Sequence, residues 1–223
     1  MNMDKKYVLQ KLEEKRQLDP NYIGFGVKRH QYKLRSPIEK AELQKLESQF
    51  QIKLPDDYRQ FILNIGDGGS GPSYGLYSLR GALTGKDRTY KYPGYKMGKE
   101  ITEDFIRPDE LAEDEWSVSG LLILCQHGCA NDDFLVINGK ERGYVWELVE
   151  WAGYIPLLKN PPQIPSGEGL SEPERNKLDM EWVNKLYQAP NTKKMTFTDW
   201  YKSWLLEPPF ILPSFNKPSK KRQ

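Results

Sequence analysis

The sequence predicts an α+β fold. Two observations carry that expectation. Apolar residues recur at helical spacing early in the chain and again at its end, and short apolar runs broken by Asn and Gly lie between them. Helices and strands grouped in separate stretches, without regular alternation, favour helices packed on a sheet. The 223 residues suit one domain with extensions, and six Trp, thirteen Tyr and eight Phe can fill a core without disulfides.

Each element has its own local signal. Residues 4–18 read as a charged helix with Val8, Leu9 and Leu12 on one face. The glycine- and aromatic-rich stretch after Pro20 reads as loop or short strand, and residues 1–35 as an N-terminal helical extension. Ser36-Pro37-Ile38-Glu39 has the form of a capping box, so a helix is expected from there to about residue 50, burying Ile38, Leu43, Leu46 and Phe50. A second helix should start at Leu54-Pro55-Asp56-Asp57, with its acids at the positive end of the helix dipole. Tyr58, Phe61, Ile62 and Ile65 would form its apolar face, and Asn64-Ile65-Gly66 its end.

Strands follow. Residues 74–79 and 121–124 are candidates, and Phe134-Leu135-Val136-Ile137 with Gly143-Tyr144-Val145-Trp146 forms a hairpin pattern. Residues 160–192 form an insertion in which Ser171-Glu172-Pro173-Glu174 caps a helix bearing Leu178, Trp182 and Leu186. In the last helix Phe197, Trp200, Tyr201, Trp204 and Leu205 make a stripe that is expected to be core. Residues 207–223 form a Pro- and Lys-rich tail expected to fray.

Composition narrows the function. The formal charge of +2 exerts no global pull on nucleic acid or anionic lipid. No stretch approaches the roughly 20 apolar residues of a membrane span, and the N-terminus lacks the apolar core of a signal peptide. With only two cysteines, a cytoplasmic protein with reduced thiols and no cofactor is expected.

Three constellations could carry chemistry. The first is GDGGSGPSYG, residues 66–75, with five glycines. It follows a helix, so carbonyls and Asp67 face it, which is the wrong polarity for a phosphate. Gly71-Pro72-Ser73 also lacks the Gly-Lys-Ser/Thr of a P-loop. The glycines are expected to end the helix and turn the chain into a strand.

The second constellation is Cys125, His127 and Cys129, with Asp132 and Asp133 nearby. Three candidate ligands at unusual spacing fall short of a four-ligand zinc site, so no metal is expected. As a Cys/His nucleophile pair, residues two apart on a strand would lie about 7 Å apart, beyond hydrogen-bond reach. Neither a Gly-x-Ser-x-Gly elbow nor His-Glu-x-x-His occurs, and no catalytic residue is assigned.

The third is a pair of charged segments. Residues 86–99 interleave Tyr90, Tyr92 and Tyr95 with Lys and Arg, as single-strand binders do. The next segment carries Glu103, Asp104, Asp109, Glu110, Glu113, Asp114 and Glu115, which would repel a phosphate backbone. No direct nucleic-acid partner is expected. The acidic run is the better candidate for docking a basic protein.

Together these landmarks resemble the SUKH superfamily, the yeast cell-wall-synthesis-regulator-like domain. The resemblance is carried by Leu54-Pro55 with Tyr58 and Phe61, by Gly66, Gly68, Gly69 and Gly71-Pro72, and by Tyr74-Gly75-Leu76. It continues through Gly128-Cys129, Phe134-Leu135-Val136, Gly139 and Gly143-Tyr144-Val145-Trp146, and ends with Phe197-Thr198-Asp199-Trp200-Tyr201 and Trp204-Leu205. Ala130 departs from the pattern, standing where members often have a glycine. The resemblance spans residues 36–206 and implies helices packed on a mostly antiparallel sheet in a single domain. It implies a non-enzymatic protein-binding role, as in bacterial immunity proteins that neutralise polymorphic toxins, often nucleases, by direct binding. The alternative it implies is a scaffold in cell-wall synthesis or signalling.

Overall fold

The computed structural model describes residues 3–84, 100–111, 119–128, 131–149 and 151–210. Tyr90, Tyr92, Tyr95, Glu113, Asp114, Glu115, Cys129, Ala130 and residues 211–223 lie outside the described residues. The fold is α+β. Strands β1 (Leu121–Gly128), β2 (Asn131–Val136), β3 (Val145–Val149) and β4 (Gly153–Pro156) form one antiparallel sheet in sequential order.

Seven α-helices surround it among the described residues: α1 (Lys5–Leu18), α2 (Val27–His30), α3 (Lys40–Phe50), α4 (Asp56–Asn64), α5 (Leu79–Thr84), α6 (Glu172–Tyr187) and α7 (Phe197–Leu206). Asp4 caps α1, its carboxylate accepting from Tyr7 N–H at 2.8 Å. Val8 and Leu12 enter the core and α1 packs on α7, whereas Leu9 is 47% exposed and does not join that face.

Two expected elements are corrected. The helix expected at Ser36 begins at Lys40, because residues 36–39 have bonds to make elsewhere. Ile38 N–H donates to the Ile62 carbonyl and Ser36 C=O accepts from Asp67 N–H, which holds the segment extended along the end of α4. The strand expected over residues 74–79 is reduced to a bridge at Leu76, and Leu79 already opens α5. Its edge still touches the sheet, since Tyr77 N–H donates to the Leu124 carbonyl at 2.9 Å.

The core is aromatic. Phe197 sits edge-on to Tyr58 and Phe61 with ring centres 4.9 and 5.0 Å away, joining α7 to α4. Trp146 on β3 is fully buried, with Phe105 edge-on at 5.0 Å and Tyr187 of α6 stacked at 6.1 Å. The insertion therefore contributes to the core: the capping box of Ser171 and Glu174 starts α6, and the Tyr187 hydroxyl donates to the Tyr154 carbonyl on β4. The chain leaving α6 is pinned by Lys194, whose ammonium meets Glu141 at 2.5 Å with both side chains buried.

Candidate functional site

The glycine loop, the β1–β2 hairpin and α7 come together in space. The glycine loop has positive φ at Gly68, Gly69 and Gly75, and a Cβ on Gly69 would lie 2.6 Å from the Lys33 carbonyl oxygen. Close approach of two backbones therefore requires glycine there. Asp67 Oδ1 accepts from Leu79 N–H at 2.7 Å, so this amide at the start of α5 is already occupied by a carboxylate. Ser70 C=O accepts from the buried Tyr201 hydroxyl at 3.0 Å, fastening the loop to α7. The same loop presents Ser73, at φ +46°, to the β1–β2 hairpin. Its Oγ lies 2.7 Å from His127 Nδ1.

The hairpin overturns the estimate that Cys125 and His127 stay about 7 Å apart. Cys125 Sγ and His127 Nε2 lie 3.6 Å apart. The cause is irregular register. Gln126 pairs with Asp132 and Gly128 with Asn131, so His127 is an extra residue with no cross-strand partner. Such a bulge turns a side chain away from the regular alternation. A second irregularity, between Ile123 and Cys125, sets Cys125 opposite Asp133.

Asp133 completes the cluster. Its Oδ2 is 2.8 Å from His127 Nε2 and 3.5 Å from Cys125 Sγ, and it accepts from Trp200 Nε1 of α7 at 2.9 Å. Among the described residues no donor reaches Asp133 Oδ1, although the side chain is buried. Glu147 lies beside Asp133 in register on β3. Sequence reasoning had placed Asp133 near the trio without assigning it a role, because only the cross-strand register identifies it as the partner.

The charges follow from this geometry. Burial alone would push His127 down, but the facing Cys125 sulfur and Asp133 carboxylate hold it well above the ordinary imidazole range. Burial pushes the Cys125 thiol up to about 12. Burial, and then the nearby Asp133 carboxylate, push Glu147 up to about 7. As an imidazolium, His127 donates Nε2–H to Asp133 Oδ2 and Nδ1–H to Ser73 Oγ.

A cavity of about 250 Å³ borders the cluster, lined by Phe25, His30, Ser73, His127 and Trp204 among others. His30 is held neutral by burial, which lowers it to about 4.

The stretch that carries the glycine loop and the Gly128 bulge is matched by a family model, whereas α7 lies beyond the matched residues. The SMI1 / KNR4 family (SUKH-1) model aligns with residues 37–161, more than half of the chain. The chain belongs to the SMI1 / KNR4 family. Searches of curated proteins and of solved structures found no match. In this SUKH-1 chain, Pro55, Gly66, Gly68, Gly69 and Gly75 lie in or beside α4 and its following loop, Gly128 and Trp146 lie in the sheet, and Trp200 and Trp204 lie on α7. No helix among the described residues is long and apolar enough to cross a membrane.

The acidic residues lie apart from this cluster in the chain. Glu103, Asp104, Asp109 and Glu110 are exposed, while Ile101 and Phe105 between and beside them are buried. Asn138 Nδ2 donates to the Ile101 carbonyl and Phe105 N–H to the Asn138 carbonyl, which ties the segment to the end of β2. Asp109 is bidentate to Arg107, and Lys140 approaches Glu110 at 3.8 Å.

Proposed function

We propose that this SUKH-1 chain is a non-enzymatic, cytoplasmic protein-binding domain of the immunity type, which neutralises a toxin by covering its active site or substrate cleft. The observation that carries the reading is the anchored acidic segment. Burial of Ile101 and Phe105 fixes the backbone, so Glu103, Asp104, Asp109 and Glu110 face solvent at little further ordering cost. A nuclease toxin presents a basic cleft to its nucleic acid, and exposed carboxylates on an anchored backbone, Glu103 and Asp104 foremost, are complementary to such a cleft. Family membership supports the binding role, while the acidic segment supports the choice of a basic partner.

The test is coexpression with the product of a neighbouring gene that encodes a large secreted toxin. Restored growth and a stable one-to-one complex are expected. The scaffold alternative predicts no toxin neighbour, capture of several endogenous proteins, and a wall-stress phenotype on deletion.

A further inference from the structure

We propose that Cys125, His127 and Asp133 form a binding site for a divalent transition-metal ion of zinc type, built across the β1–β2 hairpin and independent of the acidic segment. The three donor atoms lie within 4.8 Å of one another. A tetrahedral zinc with Zn–S about 2.3 Å and Zn–N and Zn–O about 2.0–2.2 Å places sulfur about 3.6 Å from its oxygen and nitrogen neighbours. Cys125 Sγ already lies 3.6 Å from His127 Nε2 and 3.5 Å from Asp133 Oδ2. Only the His127–Asp133 contact, at 2.8 Å, must open, by about 0.5 Å, for a metal to replace the proton between them.

The surroundings have the form of an outer shell. A ligating imidazole is ordinarily held by a hydrogen bond from its other nitrogen, and Ser73 Oγ sits 2.7 Å from His127 Nδ1 in that place. Trp200 Nε1 donates to the Asp133 carboxylate and fixes its plane. The second carboxylate oxygen, Oδ1, is buried with no donor among the described residues, so it is open to a cation if the carboxylate turns to bind through both oxygens. The mix of thiolate, imidazole and carboxylate selects zinc or cobalt over calcium or magnesium. Three protein ligands leave one position for an exchangeable ligand, and the cavity beside His127 supplies a route in. Metal entry expels two protons, one from the Cys125 thiol and one from His127 Nε2, so charge and atoms balance.

The test titrates the metal-free full-length protein with Co²⁺ under reducing conditions and follows the visible spectrum. One Co²⁺ per chain is expected, with a sulfur-to-cobalt charge-transfer band, tetrahedral ligand-field bands, and displacement by Zn²⁺. Cys125→Ser should abolish the charge-transfer band, and His127→Gln should weaken binding at least tenfold. Zinc should raise Tm in the wild type and by less in either variant. If Cys125→Ser fails to fold, zinc-edge X-ray absorption of the wild type decides, with one sulfur and one imidazole in the shell expected. No charge-transfer band in the wild type, a band that survives Cys125→Ser, or a shell without sulfur would each overturn the site.

Discussion

His127 Nε2 and Asp133 Oδ2 lie 2.8 Å apart across the first hairpin, the imidazole on a bulge of β1 and the carboxylate on β2. That contact joins three stretches of chain, because Ser73 of the glycine loop meets the other side of the ring and Trp200 of α7 meets the same carboxylate oxygen. Asp133 is buried while His127 is 26% exposed, so removing the carboxylate strands a partly solvated imidazole and an unpaired Trp200 N–H. Asp133→Ala should therefore lower unfolding free energy in metal-free buffer by about 1–3 kcal/mol. Urea unfolding measures it, and a loss below about 1 kcal/mol would show that the contact carries no such cost. The pH dependence has a definite sign. His127 is raised in the fold, so its stabilisation is complete below its unfolded value of 6.5 and declines as pH climbs above that toward the folded value.

Glu147 gives a second pH signature. Its folded-state value is raised to about 7 from 4.5, by burial and then by Asp133. The wild type therefore keeps full stability from this group below about pH 4.5 and loses it as the pH rises to about 7. Glu147→Gln cannot ionise and should unfold at a higher urea midpoint than wild type above pH 7, with the difference shrinking at pH 4.5. Equal midpoints at both pH values would refute the shift.

Lys194 and Glu141 are a buried pair at 2.5 Å, and the ammonium also lies 5.7 Å from the ring centres of Tyr144 and Trp146. Lys194→Met alone should destabilise by about 3–5 kcal/mol, since Glu141 is left buried and charged. The double variant Lys194→Met with Glu141→Leu should recover much of that loss. A thermal or urea double-mutant cycle reads the coupling directly.

Tyr201→Phe removes the donor to Ser70 C=O and should cost about 1–3 kcal/mol, because that carbonyl stays buried without its partner. Hydrogen exchange should speed up in the loop after α4 more than in β3. A uniform change would mean that the hydroxyl does not hold the loop.

Helix and sheet types were legible in the sequence where the signal was local. The apolar face of α4, the cap at Ser171 and the stripe on α7 are all set by neighbours three or four residues away. The signals that failed depend on distant partners. Ser36 has the letters of a cap, but the Ile38 amide bonds to Ile62 and delays the helix to Lys40. Strand β4 is four residues long, too short to show a period, and it forms only because β3 is beside it. The His127 bulge was not legible for the same reason, since an extra residue exists only relative to the strand opposite. Thr196-Phe197-Thr198-Asp199 is a capping box that the spacing of Thr and Asp could have revealed.

The central claim is recognition of a basic protein through the segment anchored by Ile101 and Phe105. Its most direct measurement is titration calorimetry of a toxin captured from the native cell, comparing wild type with the Glu103→Lys, Asp104→Lys, Asp109→Lys, Glu110→Lys variant at two salt concentrations. The account predicts wild-type affinity that weakens with salt and falls at least a hundredfold in the charge-reversed variant, with its far-UV circular dichroism unchanged. Equal affinity of the two proteins would contradict it.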